Sequence, residues 1–296
     1  MNLVDINTLF GTEDKCRELL VRLRFPEGPR CLRCKAPAVE LETEKQLFYC
    51  KDCDYQFSVT SGTVFNDSHL PLAKWFLTTH LLCEAKKGMS ACQVQRTVGM
   101  SYKTAWYLCH RIRSAMVETQ KAMLDGKVEI DETYIGGKAR RGLPRTEKQV
   151  VIGIRQRNGE LRLIHVNEAT SEAIRKVMAE NISEDVEVLL TDESSIYPFA
   201  FTVDQKKLHK TICHSKEYVV GDVHTNTVES AFSLLKRGIV GTWHKVSAKH
   251  LPAYLEEMCF RFNRRKNSDL FIDTLRHMVT APTLTFKSLT KETEAA

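Results

Sequence analysis

The chain has 296 residues, 43% hydrophobic and 27% charged, with a net charge of +6. That length gives room for one large folded unit plus one or two small ones, with apolar residues enough for a sizeable core. No apolar run approaches the ~20 residues a membrane helix needs, and the opening MNLVDINTLFGTEDK lacks a basic-then-apolar leader pattern. Membrane spans and secretion are therefore not expected, and a cytosolic protein is; the mild positive charge permits a nucleic-acid partner without requiring one.

Residues 1–24 form an N-terminal helical segment, in which 5–24 read as one short amphipathic helix with Leu19, Leu20 and Leu23 on one side. Residues 25–62 read as short strands and turns around Cys31-x2-Cys34 and Cys50-x2-Cys53, with fifteen residues between the pairs. Each CxxC forms a tight knuckle that aims two thiolates at one point, and two knuckles complete a tetrahedral S4 site suited to zinc. Four ligands close the site, so the zinc is expected to be structural, folding a module with little core of its own. Phe48, Tyr49, Tyr55 and Phe57 are placed to pack around it. The other six of the ten cysteines (16, 83, 92, 109, 213 and 259) are scattered singly. With no leader, that distribution favours reduced thiols over a disulfide framework.

From Pro71 a helical pattern runs to Gly88. Within the region 70–120 a second helix is expected at about 90–97, a turn at Val98–Gly99–Met100 and a third helix at about 101–117, with Ser90 and Ser101 as N-caps. That is the length and turn of a helix-turn-helix. Its second helix would point Ser101, Tyr102, Lys103 and Thr104 toward a major groove, and Lys103, Arg111 and Arg113 would reach phosphates or bases. An ordinary helical hairpin has the same pattern.

Beyond Asp125–Gly126 the texture becomes α/β over 127–266. Strands are expected at 127–135, 148–156 and 161–167, the last two joined by a hairpin at Asn158–Gly159. A helix (171–181), the strand VEVLLTD (186–192), a short helix near 194–200 and a short strand at 211–215 follow. A helix containing Glu229 and another at 251–265 complete the region, and the tail 267–296 reads as a helix plus a disordered end. Three strands, a helix, a strand and then helices is the order of an RNase H-like domain. Its mixed sheet would set the first and fourth strands side by side and parallel, bringing Asp131 and Asp192 together; that step rests on fold analogy.

Asp131 ends the run VEID, Asp192 ends VEVLLTD, and Glu229 sits in HTNTVESAFSLLKRG. Carboxylates converging from different elements suit a pair of divalent ions about 3.5–4 Å apart, which can activate a nucleophile and stabilise a leaving oxygen at a phosphodiester. Asp131 would bridge both ions, with Asp192 on one and Glu229 on the other. Lys236, two helical turns after Glu229, would grip a phosphate beside them. Asn226, one turn before Glu229, competes with it or assists it as a ligand. Lys236 and Arg237 lie within 234–266, which holds eight Lys/Arg against two Glu; 138–148 holds five against one. Such runs form either a phosphate-tracking stripe or a solvated face. Taken singly, each acid also has a plain structural reading. Glu132 should point to the opposite sheet face from Asp131, Asp192 could cap the next helix, and Asn226-x-x-Glu229 fits a capping box. His209, Cys213 and His214 lie close enough in sequence to suggest metal, a spacing that arises easily by chance.

With CLRC…CKDC, SGTVF, PLAKWF, KKGMSACQVQRTVGMSYKTAW, VEIDETYIGG, LLTDESSIY, HTNTVESAFSLLKRGIVGTWHKVSAKHLPAYLEE and FRFNRR in place, the chain resembles bacterial insertion-sequence transposases with a zinc ribbon and an ISXO-type DDE domain, relatives of the Merlin transposons. The resemblance covers about 10–266. It implies an RNase H-like core using two Mg2+ or Mn2+ ions, which cuts double-stranded DNA at terminal inverted repeats and joins the freed 3′-hydroxyls to target DNA. It also implies a bacterial, nucleoid-associated protein that works as a homodimer or higher multimer on DNA. Asp131 and Asp192 match the family's two aspartates. The third position is Glu or Asn among relatives, followed by Lys, so Glu229 with Lys236 fits one form and Asn226 keeps the other open.

Overall fold

In a computed structural model, residues 1–41, 46–136, 148–212 and 224–291 are described. Elements are numbered in chain order. Contacts divide the chain into two units, one of residues 1–117 with 266–296 and one of residues 118–265.

In the first unit, α1 (Leu3–Phe10) and α2 (Glu13–Arg24) replace the single helix expected at 5–24. The break has a local cause. Thr12 leaves helical geometry and its side chain accepts from the Lys15 amide, so it opens α2 as an N-cap. A small antiparallel sheet follows, with β1 (Val39–Glu40), β2 (Phe48–Cys50) and β3 (Tyr55–Phe57) in that order. Phe25, Phe48 and Phe57 pack there at centroid distances of 5.5–6.3 Å.

The helices α3 (Leu72–Glu84), α4 (Ala91–Val98) and α5 (Tyr102–Ala115) then form a bundle with α1 and α2. Ser90 and Ser101 are the N-caps of α4 and α5, as expected, accepting from the Gln93 and Thr104 amides. Gly99 closes α4 with φ +70, a left-handed conformation that glycine adopts without steric cost. From the C-terminal segment, α11 (Leu270–Thr280) packs against α2, α3 and α5, burying Phe271, Leu275 and Met278. The short α12 (Phe286–Thr290) sets Phe286 against Trp106 and Tyr107 of α5.

The second unit is built on a mixed five-stranded sheet ordered β6-β5-β4-β7-β8. Its strands are β4 (Leu124–Ile135), β5 (Gln149–Gln156), β6 (Leu161–Val166), β7 (Ile182–Asp192) and β8 (His209–Ile212). β4 runs antiparallel to β5 and parallel to β7, and β7 parallel to β8. These are the order and directions expected of an RNase H-like domain. Residues 128–131 and 149–156 alternate between two buried faces. Val128, Ile130, Ile152 and Ile154 face α6 (Ser171–Asn181) and α7 (Tyr197–Ala200). Val151, Leu161 and Leu163 face α9 (Asn226–Gly238) and α10 (Leu251–Asn263), which supply Val228, Phe232, Leu235 and Leu255. α8 (Val203–Leu208) leads into β8, and α9 continues into a π-helical turn, Ile239–Trp243.

One glycine decides how close α9 comes to the sheet. A Cβ on Gly153 would lie 2.6 Å from the Phe232 ring and 2.8 Å from a Val228 methyl. Gly153 is also the residue paired with Asp131 in the β4–β5 ladder. The helix that carries Glu229 therefore touches the sheet beside Asp131, through a gap that only glycine leaves open.

Candidate active site

Asp131 and Asp192 stand at corresponding places on neighbouring parallel strands. The ladder pairs Glu129 with Leu190, and two residues further along each strand come Asp131 and Asp192, which period-two alternation keeps on that same face. Glu229 arrives from α9, following Val228, which is buried in the core on that side. Each of the other acids acts on Asp131 through its charge. Burial, followed by the charges of Asp192 and Glu132, pushes the Asp131 carboxyl up to about 8, and Glu229 adds to the rise. The Glu132 amide, which donates to Asp131 Oδ1 at 2.8 Å, offsets only part of it.

Glu132 faces away, as its place in the strand requires. Its Oε2 accepts a 2.5 Å hydrogen bond from the Tyr197 hydroxyl, whose ring lies in the core on the α6 side. Burial raises the Glu132 carboxyl, and burial next to Glu132 raises the Tyr197 phenol.

Neither of the two helix caps expected of these acids is formed. Asp192 Oδ1 does accept from the Ser194 amide at 3.0 Å, but the helix after it begins only at Tyr197, so Asp192 is not its cap. The capping box at Asn226 and Glu229 is not formed. The N-cap of α9 is Thr225, and no side chain of that cap holds the helix start. Thr225 instead donates its hydroxyl to Glu229 Oε1 at 3.1 Å. Asn226 and Lys236 are exposed on α9, while Glu229 is half-buried. Lys236 follows Glu229 on nearly the same helix face, and Arg237 folds back onto the Ser233 carbonyl at 3.1 Å.

Around the cysteines, the four Sγ atoms of Cys31, Cys34, Cys50 and Cys53 all lie within 4.8 Å of one another. The closest pairs cross between knuckles, Cys31–Cys53 at 3.5 Å and Cys34–Cys50 at 3.4 Å. A tetrahedron of ~2.3 Å zinc–sulfur bonds has edges of roughly 3.8 Å, so the donors fit zinc. Each knuckle turns through a left-handed residue just after its second cysteine, Lys35 (φ 64) and Asp54 (φ 54). In Cys31 burial is outweighed by hydrogen bonds from the Cys34 and Arg33 amides, and the thiol falls to about 6. Burial and the neighbouring thiols push Cys53 up to about 12. No disulfide links the described cysteines.

On α5, Ser101, Tyr102 and Lys103 are exposed and Thr104 is half-buried. The Ser101 and Thr104 hydroxyls bond each other at 2.8 Å, and Lys103 Nζ lies 4.6 Å from the Phe286 ring centre. Arg111 and Arg113 correct the expectation that they reach DNA. They are 3% and 1% exposed. Nine residues after Tyr102, Arg111 is half a turn out of phase with it. It donates to the Asn66 carbonyl at 2.5 Å and stacks against Trp75 and Tyr107. Arg113 is enclosed where the last turn of α5 enters the bundle core with Ile112 and Ala115.

His209 bonds Thr191 Oγ1 at 2.8 Å and packs on Phe201. Its proposed companions Cys213 and His214 lie outside the described residues, as do all but Lys148 of the basic run 138–148. No helix among the described residues is long and apolar enough to cross a membrane.

Two further residues, Gly153 and Glu129, shape the site without belonging to the expected set. Glu129 offered one signal, an acid two residues before Asp131 on the same strand face.

Comparison with known proteins agrees with this architecture. The ISXO2-like transposase domain matches residues 123–263, and the transposase zinc-ribbon domain matches residues 11–56. The chain is also similar to an uncharacterized protein in transposable element ISH50 of Halobacterium salinarum. The two are 31% identical over 274 residues, which cover 85% of this chain and 91% of that one.

Proposed function

The chain belongs to the ISXO2-like transposase family, and from that premise we propose that it cuts DNA at the ends of its element and joins the freed 3′-hydroxyls to target DNA. What supports the reading is that Asp131 and Asp192 end neighbouring parallel strands and that, after burial, the charges of Asp192, Glu132 and Glu229 push the Asp131 carboxyl up to about 8. Carboxylates held this way are costly alone and suit hard divalent cations. Bound Mg2+ or Mn2+ would activate the attacking oxygen and stabilise the leaving one.

The side chains divide the work. Asp131, on which the charges of both other acids act, would hold both ions, Asp192 one and Glu229 the other. Glu229 is favoured over Asn226 because it is half-buried and contributes to the field at Asp131, whereas Asn226 faces solvent. Lys236 and Arg237 would track phosphates along the exposed side of α9. In the other unit, the zinc ribbon would fold around its four thiolates, and α4 and α5 would act as a helix-turn-helix. The start of α5, Ser101 to Thr104, would read the terminal inverted repeats, with Ser101, Tyr102 and Lys103 exposed there. Two ends must be processed together, so a dimer or higher multimer on DNA is expected.

The test is a purified reaction with a labelled duplex carrying one element end, Mg2+ and a supercoiled acceptor. Labelled end joined to acceptor supports the reading. Cleavage without joining points to a nuclease, and binding without cleavage to a regulator.

A further inference from the structure

Glu129 lies two residues before Asp131 on β4, on the same strand face, and its side chain is fully buried. A carboxylate in an apolar sheet–helix interface is tolerated only when its oxygens are hydrogen-bonded. Those of Glu129 are. Oε2 accepts from the Thr227 amide (3.0 Å), the Val228 amide (3.0 Å) and the Thr227 hydroxyl (2.7 Å). Oε1 accepts from Arg157 Nε at 2.8 Å and lies 3.4 Å from His224 Nδ1. Arg157 also donates to the His224 carbonyl at 2.9 Å.

The amides of Thr227 and Val228 belong to the first turn of α9, where a helix has N–H groups with no internal partner and a partial positive charge. The N-cap Thr225 supplies no side-chain cap, because its hydroxyl is turned to Glu229. The cap of α9 is therefore delivered from a strand 98 residues earlier in the chain. It ties the start of the helix to the backbone two residues from Asp131, and Glu229 is the next residue after the pinned Val228.

We propose that Glu129 is a positioning residue. It fixes the height and rotation of α9 on the sheet, so that Glu229 faces Asp131 and Asp192, and it thereby sets the affinity of the three acids for divalent cations. This rests on the reading that those acids are the metal ligands. Arg157 and the His224–Thr227 segment complete the same clamp.

The test uses the zinc-loaded full chain and two readouts, Mn2+ affinity by calorimetry and the Mg2+ midpoint for cleavage. Glu129→Gln keeps one acceptor but loses the charge opposite Arg157 and the helix start. It should weaken Mn2+ binding and raise the Mg2+ midpoint by about 10–100-fold, with saturating Mg2+ recovering part of the rate and element-end binding unchanged. Thr227→Val removes one donor and should shift both readouts by roughly threefold in the same direction. Glu257→Gln is the comparison. Glu257 is fully buried and paired with Arg261 at 3.0 Å within α10, so this change should lower the melting temperature and leave Mn2+ affinity alone.

Equal shifts in Mn2+ affinity from Glu129→Gln and Glu257→Gln, or none from either, would overturn the proposal. Where Glu129→Gln fails to fold, Thr227→Val and Arg157→Lys decide, and unchanged Mn2+ affinity in both overturns it. Glu229→Gln separates the two levels. If it leaves metal binding and cleavage intact, the ligand reading fails. If it abolishes them while Glu129→Gln binds Mn2+ normally, only the positioning role fails.

Discussion

Asp131→Asn should stabilise the Mg2+-free protein while removing its activity. The folded protein holds the Asp131 proton up to about pH 8, whereas the carboxyl of an unfolded chain loses it near 3.8. Between those values the folded state binds more protons, so stability is highest below 3.8 and falls as pH rises toward 8. At pH 7 the gap spans roughly three pH units at about 1.4 kcal/mol each, on the order of 4 kcal/mol, and partial solvent access lowers it to about 2–4 kcal/mol. Asparagine has the same shape and keeps an oxygen for the Glu132 amide without the charge. At roughly 2–4 °C per kcal/mol for a unit of this size, the variant should melt about 5–10 °C higher at pH 7. The assay is scanning calorimetry of zinc-loaded, Mg2+-free protein at pH 5, 7 and 8. The advantage of the variant should be small at pH 5 and grow toward pH 8. Added Mg2+ should raise the melting temperature of the parent most at the highest pH and leave the variant unmoved. A variant that melts lower than the parent, or an advantage equal at pH 5 and pH 8, would refute the account of crowded carboxylates.

Four further outcomes are expected. Glu229→Gln should abolish Mg2+-dependent cleavage of a labelled element end on a gel, whereas Asn226→Ala should retain most of it; the reverse pattern would exchange their roles. Gly153→Ala places a methyl 2.6 Å from Phe232 and should cost about 1–3 kcal/mol in chemical denaturation, with cleavage reduced further because α9 is pushed away beside Asp131. Removing zinc with a strong chelator should open residues 25–60 to limited proteolysis and leave the sheet of the second unit protected. Replacing Tyr102 and Lys103 together by alanine should weaken binding of the element end by about tenfold in a mobility-shift titration, while Arg111→Met should lower the melting temperature through its buried contacts with Trp75 and Asn66.

What could be read from the sequence was what depends on short-range pattern. The two CxxC pairs carry their own geometry, and the caps at Ser90 and Ser101 use amides three residues away. The alternation through VEID and VEVLLTD placed Asp131 and Asp192 at strand ends. Contacts between distant segments were not legible. Arg111 is buried by Asn66 and Trp75, 45 and 36 residues earlier, so a basic residue on a DNA-reading pattern looked like a phosphate contact. Glu129 reads as a surface acid in an alternating strand until the amides of Thr227 and Val228 are found against it. The capping box at Asn226 failed for the same reason, since the first turn of α9 was already occupied by an acid from β4. The single helix expected at 5–24 is broken more locally, because the N-cap of Thr12 lies within the amphipathic pattern.

Asp131, Asp192 and Glu229 are proposed to hold two divalent ions. Anomalous diffraction from crystals soaked in Mn2+ tests this directly. Two peaks about 3.5–4 Å apart are expected, with Asp131 touching both, Asp192 on one and Glu229 on the other. Peaks ligated by Asn226 with Glu229 turned away, or no Mn2+ between these strands at a saturating soak, would contradict it.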